Sequence, residues 1–355
     1  MIARIVTWAV EKRWLVLLLT VIVAAIGAFS LYRLPIDAVP DITNNQVQIN
    51  VRAPALSPEL VEKQVSFPIE TALAGTPGLE YTRSLSRNGF AQITAVFSDA
   101  TDIYFARQQV GERLRGVQEN LPDGVNPEMG PIATGLGEVY MYTVRLDHRE
   151  DDKHKPGEPG QQPDGSYITP EGERLTTEED KATYLRTAQD WIVTPLLKTT
   201  PGLAGVDSIG GYAKQFLVVP DVQKLASLGI TLTDLGNALE RNNTSVGGGF
   251  VNRNGEGLAV RSDALVRNAS ELARTVIATR NGVPITVEQV ATVKTGQAIR
   301  MGSASENGTE VVVGTAIMRI GENSRIVSTA VAEKLKTINA SLPPDVVIQP
   351  VLNRT

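Results

Sequence analysis

Thr76-Pro77-Gly78-Leu79 and Thr200-Pro201-Gly202-Leu203 spell the same four-residue turn twice, and the fold can be worked out from this repetition. Each copy is followed by an Asn-Gly pair, at residues 88–89 and 307–308, which is a strong signal for a tight hairpin. Each is then followed by Leu-Pro, at 121–122 and 342–343, which ends a helix. The sequence therefore predicts two copies of one architecture.

The first copy shows the elements of that architecture. Residues 46–51 (QVQINV) alternate polar and apolar side chains, as a half-buried strand does. Ser57 and Pro58 are typical of a helix start, and Pro68 predicts a kink in that helix. Two strands flank Asn88-Gly89, and a second helix carries apolar residues at helical spacing from Ile103 to Leu121. The order β-α-β-β-α-β is that of a ferredoxin-like split βαβ unit.

The second copy contains an insertion. Pro-Gly-Leu and Asn-Gly are 9 residues apart in the first copy and 104 in the second. About 95 residues are thus inserted, and we expect them to form a small α/β unit that begins near Gly211 and ends near Asn281. Strands are predicted at 215–219, 247–251 and 257–261, and helices at 222–228 and 231–241.

The N-terminal region contains a membrane-spanning segment. Residues 14–31 (WLVLLLTVIVAAIGAFSL) carry no charge and are long enough to cross a hydrocarbon core of about 30 Å. Basic residues precede this segment and acidic residues follow it, so the N-terminus is expected in the cytoplasm and the chain after Arg33 outside. Upstream, residues 1–13 show an amphipathic pattern, which predicts a short interfacial helix. A cleaved signal peptide is the alternative, although the apolar run is longer than a typical signal core.

Composition excludes several classes of function. The chain has no cysteine and only two histidines, which leaves almost no residues for thiolate metal sites or for nucleophilic catalysis. Its net charge of −5 disfavours nucleic acid as a partner. We therefore do not expect an enzyme, and no cofactor is predicted.

A polar segment at residues 147–180 stands apart from the rest of the sequence. Four prolines lie within it, and they predict an irregular loop. Both histidines, His148 and His154, lie in this segment beside acidic residues. They are candidate metal ligands, and the alternative is an ordinary surface loop.

Several motifs, taken together, resemble the heavy-metal branch of the resistance–nodulation–division (RND) transporters, of the cobalt–zinc–cadmium and copper–silver exporter type. They are 34–42 (LPIDAVPDI), 77–80 (PGLE), 83–87 (RSLSR), 97–102 (FSDATD), 134–138 (TGLGE) and 321–324 (GENS). The resemblance covers the whole chain apart from roughly residues 146–180. It implies an N-terminal part of such a pump, which ends before the next membrane helix.

The resemblance implies an α+β domain order after the helix at residues 14–33. Residues 34–132 would form a first porter subdomain, 133–210 and 282–355 a second, and 211–281 a docking subdomain. It also implies a homotrimer in the inner membrane, with most of this chain in the periplasm. Such pumps work with a periplasmic adaptor and an outer-membrane channel and are driven by protons.

Two carboxylates are candidate ligands of the transported cation. By resemblance, Glu138 would line the substrate cleft and Asp190 would face it from a helix. Carboxylates suit divalent ions such as Zn²⁺, Co²⁺, Cd²⁺ and Ni²⁺, whereas Cu⁺ and Ag⁺ prefer thioether sulfur, and methionine is scarce here. Either residue could instead have a structural role, Glu138 paired with backbone or a base and Asp190 solvated or ion-paired.

Two other functions remain open at this point. An RND pump for organic amphiphiles would need an aromatic-rich cleft, against which the 5% aromatic content counts. A membrane-tethered periplasmic binding protein, complete at this length, would use the same domains for binding alone.

Overall fold

The computed structural model describes residues 8–33, 43–147, 155–253, 256–263, 265–280, 282–300 and 302–354. Their fold mixes helices and sheets and begins with an apolar helix, α1 (Arg13–Arg33). Over Arg13–Leu31 this helix is long and apolar enough to cross a membrane, and none of that stretch is buried. At about 1.5 Å per residue, its 21 residues match the thickness of a hydrocarbon core. The interfacial helix predicted upstream falls largely on residues 1–7, outside the described residues.

The first unit has the predicted element order. Its strands are β1 (Gln46–Arg52), β2 (Leu79–Arg87), β3 (Phe90–Phe97) and β4 (Asn126–Met129), paired in the order β2-β3-β1-β4. Its helical elements are α2 (Pro58–Val61), a π-helical turn (Glu62–Ser66), α3 (Phe67–Leu73), α4 (Ile103–Val117) and a 3₁₀ turn (Gln118–Asn120). Apolar side chains of both helices share one buried core with β1 and β3.

The first helix of this unit starts where the sequence predicts, and a π-helical turn lies next to Pro68, the residue at which a kink is predicted. Ser57 caps it, because its hydroxyl accepts a hydrogen bond of 3.4 Å from Leu60 N. The π-helical turn lies just before Pro68. There Phe67 N donates to the carbonyl of Glu62, one residue further back than in an α-helix. Proline has no N–H and its ring crowds the carbonyl four residues back, so the helix widens upstream of it.

The second unit repeats the first. Its strands are β5 (Glu138–Leu146), β9 (Leu203–Ile209), β17 (Thr309–Met318) and β18 (Val346–Asn353), and they pair in the order β9-β17-β5-β18. Its helical elements are α5 (Glu178–Ala188), a π-helical turn (Gln189–Val193), α6 (Thr194–Leu197) and α11 (Ser324–Ser341). The short strand β16 (Ala304–Glu306) joins β17 through the predicted Asn307-Gly308 hairpin, where both turn residues have positive φ.

The inserted segment folds on its own strands. In chain order its elements are β10 (Lys214–Pro220), α7 (Val222–Leu228), α8 (Leu232–Arg241), β11 (Ser245–Arg253), β12 (Glu256–Asp263), α9 (Ala269–Ala273), β13 (Val276–Arg280), β14 (Val283–Thr286), α10 (Val287–Val290) and β15 (Ala291–Gln297). These strands form the pairs β10-β15, β11-β12 and β13-β14, and none of them joins the sheet of β1 and β3.

Strand pairing extends the inserted segment beyond the predicted end near Asn281. β15 pairs antiparallel with β10 along its whole length, from Lys214 opposite Gln297 to Pro220 opposite Ala291. Ile285 and Val290 also share a buried cluster with Leu225. The chain therefore returns to the second unit at Ala298, whose N–H donates to Ala213 O at 2.9 Å. Turn signals mark where the second unit is interrupted, but strand pairing sets where the insertion ends.

The segment predicted as an irregular loop at residues 147–180 contains regular structure in its described part. Three short strands, β6 (Gly160–Gln161), β7 (Tyr167–Ile168) and β8 (Arg174–Leu175), form a small antiparallel sheet. Tyr167 and Leu175 are buried in the core of the second unit. The prolines lie outside these strands, so they permit a sheet of two-residue strands while excluding longer ones.

Candidate functional site

Glu138 is the first residue of β5, and its side chain is exposed. The backbone beside it is held by Met318 N, which donates to Gly137 O at 2.6 Å, and the ladder to β17 is irregular at this point. No described residue forms a hydrogen bond or ion pair with the Glu138 carboxylate. The structural partner considered as the alternative is therefore absent from the described part of the chain.

Asp190 forms an ion pair. It lies in the π-helical turn Gln189–Val193, where Arg186 Nε donates to Asp190 Oδ2 at 2.7 Å. The side chains are 25% and 34% exposed for Arg186 and Asp190, so water still reaches both. The same guanidinium donates through Nη1 to the carbonyl of Gly210 at 2.9 Å. The structure thus contains the ion pair that was considered as the alternative role of Asp190.

The π-helical turn around Asp190 has the same origin as the one in the first unit. Thr194 N donates to the carbonyl of Gln189, and Pro195 follows at once. The wider turn buries Gln189 completely and leaves the neighbouring Trp191 79% exposed. Such turns occur frequently at functional sites.

Gln189 is a buried residue that the sequence analysis missed. Its Nε2 atom lies 3.0 Å from Tyr142 Oη, 3.1 Å from Ser208 Oγ and 3.2 Å from Thr194 Oγ1. An amide nitrogen has two hydrogens for these three oxygens, while Oε1 is buried with no partner among the described residues. The network joins β5 and β9 to the helical turn and fixes the backbone that carries Asp190.

The pKa of the Tyr142 hydroxyl is shifted by its surroundings. Burial raises the pKa of its hydroxyl far above the usual value, and the nearby Asp190 charge raises it further, against the opposing hydrogen bond from Gln189. Tyr142 therefore stays neutral and serves as a hydrogen-bonding partner.

The spacing of four residues between Arg186 and Asp190 on a predicted helix was the signal that could have revealed their pairing. No comparable signal pointed to Gln189.

The two predicted histidine ligands cannot be placed beside these carboxylates. His148 and His154 lie outside the described residues. Within the part of the chain that is described, no three His, Cys, Asp or Glu residues form a group that could hold a metal ion. Glu138 and Asp190 are thus two separate carboxylates of the second unit, one unpartnered and one paired with Arg186.

The chain is similar to known metal-resistance proteins over its whole length. It is 56% identical to the nickel-cobalt-cadmium resistance protein NccA of Alcaligenes xylosoxydans xylosoxydans, over 100% of this chain and 33% of that protein. It is 54% identical to the nickel and cobalt resistance protein CnrA of Cupriavidus metallidurans, again over 100% of this chain and 33% of the relative. The chain thus spans about a third of the length of these relatives.

A solved structure and a family model agree with these relatives. The crystal structure of a heavy metal efflux pump, crystal form I, superposes with a TM-score of 0.79 at 29% identity, over 98% of this chain and 32% of that one. The model of the AcrB/AcrD/AcrF family matches residues 5–355. The chain therefore belongs to the AcrB/AcrD/AcrF family and, within it, to the heavy-metal branch of the RND transporters that its motifs resemble.

Proposed function

We propose that this chain is part of a proton-driven membrane pump that exports divalent heavy-metal cations of the nickel, cobalt, zinc and cadmium type. The observation that carries the proposal is the identity of 54–56% to two relatives named for nickel and cobalt resistance, extending over the whole chain. The pump acts as a transporter rather than an enzyme, and the metal ion is its cargo rather than a resident cofactor.

The two repeated units are the first two porter subdomains in this proposal, and the inserted segment is the docking subdomain. The identical strand order of the two sheets supports the first assignment. The pairing of β10 with β15 supports the second, and we assign the docking subdomain to residues 214–297.

The proposed location is the bacterial inner membrane, spanned here by α1. Lys12 and Arg13 precede the apolar run, and Asp37 and Asp41 follow it, so the N-terminus is assigned to the cytoplasm and both units to the periplasm. Membership in the RND family supports a trimer that works with a periplasmic adaptor and an outer-membrane channel.

Glu138 and Asp190 are the proposed cation ligands in this chain. Glu138 offers an exposed carboxylate with no partner among the described residues, and Asp190 offers one that is held by an exchangeable ion pair. Both are oxygen donors of the kind that divalent ions accept. His148 and His154 remain predicted ligands with less support, since both lie outside the described residues.

Growth of a metal-sensitive bacterium tests the proposal. The protein that contains this chain, at its full natural length, is expressed in a strain deleted for its own exporters and challenged with nickel, cobalt, zinc, cadmium and an organic amphiphile. We expect higher tolerance of the metals and unchanged tolerance of the amphiphile. Protection against the amphiphile alone would contradict the proposal.

A further inference from the structure

The Arg186 guanidinium donates hydrogen bonds both to Asp190, a candidate cation ligand, and to the main-chain carbonyl of Gly210. Arg186 lies one helical turn before Asp190 and donates Nε to that carboxylate at 2.7 Å. Its Nη1 atom donates to Gly210 O at 2.9 Å. The planar fork of an arginine suits such a bridge, because its N–H groups are fixed relative to each other.

Gly210 lies where the chain leaves the second unit for the inserted segment. Gly210 and Gly211 have φ of +90° and +60°, a region that other residues rarely adopt. A Cβ on Gly211 would come 2.6 Å from Ala182 O and 2.8 Å from Arg186 Cβ, so the junction is pressed against α5. Ala213, three residues after Gly210, accepts through its carbonyl the hydrogen bond from Ala298 N that closes the insertion. The Arg186 bridge therefore connects Asp190 to the base of the inserted segment.

We propose that Arg186 is a built-in counter-ion, which a transported cation must displace from Asp190, and that this displacement frees Gly210 and shifts the inserted segment. The inference rests on the proposed function, in which Asp190 is a cation ligand. A metal ion bound to Asp190 repels the guanidinium at a distance of a few ångströms, so the two cations cannot share that carboxylate without cost. The tie between the helix and Gly210 is then lost.

Displacement also gives selectivity for charge. A divalent ion approaches a carboxylate oxygen to about 2.0–2.2 Å and carries two charges, whereas the guanidinium nitrogen stays near 2.7 Å with one. A divalent cation therefore wins the exchange and a monovalent cation does not. The competition lowers the affinity for the cargo, which suits a site that must release it.

Two substitutions separate the competition from the coupling. Arg186→Gln removes the competing charge. We therefore expect Zn²⁺ to bind about 2–5-fold more tightly, which corresponds to the loss of one partly exposed ion pair. Arg186→Lys keeps a charge beside Asp190 but has a single nitrogen, so affinity stays near that of the wild type while the Gly210 bridge is lost. Lys63→Gln is the matched control, because Lys63 lies in the corresponding π-helical turn of the first unit and pairs with Glu59. Its Zn²⁺ affinity should equal that of the wild type.

Spin labels report the coupling. The chain has no native cysteine, so Gln223→Cys on α7 and Ala340→Cys on α11 place one label on the inserted segment and one on the second unit. The full chain, reconstituted in lipid nanodiscs, is measured by pulsed electron paramagnetic resonance with and without diamagnetic Zn²⁺, alongside calorimetric titration. We expect Zn²⁺ to shift the distance distribution in the wild type. In Arg186→Gln and Arg186→Lys the distribution should be shifted already and respond no further.

The outcomes distinguish this inference from the proposed function. Zn²⁺ binding that Asp190→Asn abolishes, without any shift in distance, would overturn the inference and leave the cation site standing. Equal or weaker binding by Arg186→Gln would overturn it too, because a purely structural arginine would lower the melting temperature without raising affinity. Failure of the wild type to bind Zn²⁺ would overturn both the inference and the ligand role of Asp190.

Discussion

The hydroxyl of Tyr167 donates a hydrogen bond of 2.8 Å to the main-chain carbonyl of Pro344, and the whole side chain is buried. The next residue, Asp345, is also buried, and its carboxylate accepts a hydrogen bond of 2.7 Å from Gln161 N. These contacts fasten the three-stranded sheet at 160–175 to the turn that precedes β18. A segment predicted as an irregular loop thus contributes to the core of the second unit.

Tyr167→Ala should lower the free energy of unfolding by about 3–5 kcal/mol, because it leaves a cavity in a closely packed core. Tyr167→Phe keeps the ring and should cost about 1 kcal/mol for the lost hydrogen bond. Thermal melts followed by circular dichroism measure both. Tyr104→Ala, at a tyrosine that is 56% exposed, is the control and should change little. Equal melting temperatures for the wild type and Tyr167→Ala would show that the segment is an independent loop.

Glu138→Gln should lower Zn²⁺ affinity about tenfold or more, because it removes the charge that attracts a divalent ion while keeping the size of the side chain. Since no described group pairs with this carboxylate, the free energy of unfolding should change by no more than about 0.5 kcal/mol, as for a neutral surface substitution. The melting temperature should therefore change little. Calorimetric titration and a melting curve on one preparation give both results. Glu128→Gln changes another exposed strand carboxylate and should leave affinity unaltered. A lowered melting point with full affinity would assign Glu138 a structural role instead.

Excision tests where the inserted segment ends. Removal of residues 214–297, with Ala213 joined to Ala298 through Asn-Gly, should leave the second unit folded, because the two junction residues already share a hydrogen bond of 2.9 Å. Removal of 211–281 instead deletes β10 and leaves β15 as an unpaired strand, which we expect to aggregate. Melting temperature and sedimentation velocity compare the two deletions. Similar behaviour of both would argue against an exit at Ala298.

High pH should destabilise the second unit through its buried tyrosines. Burial, with a smaller contribution from the Glu171 charge, raises the pKa of Tyr184 to about 12. The folded state therefore holds this proton more tightly than the unfolded state. The resulting stability is fully present below the ordinary pKa of 10 and is lost as the pH rises through about 12. Tyr184→Phe cannot ionise and should lose less stability between pH 10 and 12. Melting temperatures across this range, with tyrosinate absorbance as a second signal, provide the comparison.

The membrane helix should be retained with its N-terminus in the cytoplasm. Its apolar stretch Arg13–Leu31 exceeds the core of a typical signal peptide, and basic residues precede it. N-terminal sequencing of membrane-extracted protein is the test. A mature N-terminus near Ala28 would instead identify the segment as a cleaved signal.

The sequence by itself determined the features that depend on neighbouring residues. The Asn307-Gly308 hairpin, the Ser57 cap and the interruption of the α-helix before Pro68 follow from the φ, ψ and hydrogen-bonding limits of single residues, which act over a few positions of the chain. The apolar run of α1 and the repeated turn at Gly78 and Gly202 are likewise predicted from neighbouring residues alone. These local signals were sufficient to predict the element order of both units.

Tertiary structure alone decided how distant segments meet. β15 could not be assigned to the inserted segment from its own residues, because its partner β10 lies some seventy positions earlier and strand pairing depends on packing rather than on intrinsic preference. Likewise, Gln189 looks like any polar helical residue until the widened turn before Pro195 carries it against Tyr142 and Ser208. The sequence could suggest that Arg186 is four residues from Asp190. Only the folded chain brings Gly210 to the other side of the same guanidinium, because that contact joins a helix to a strand end 24 residues away.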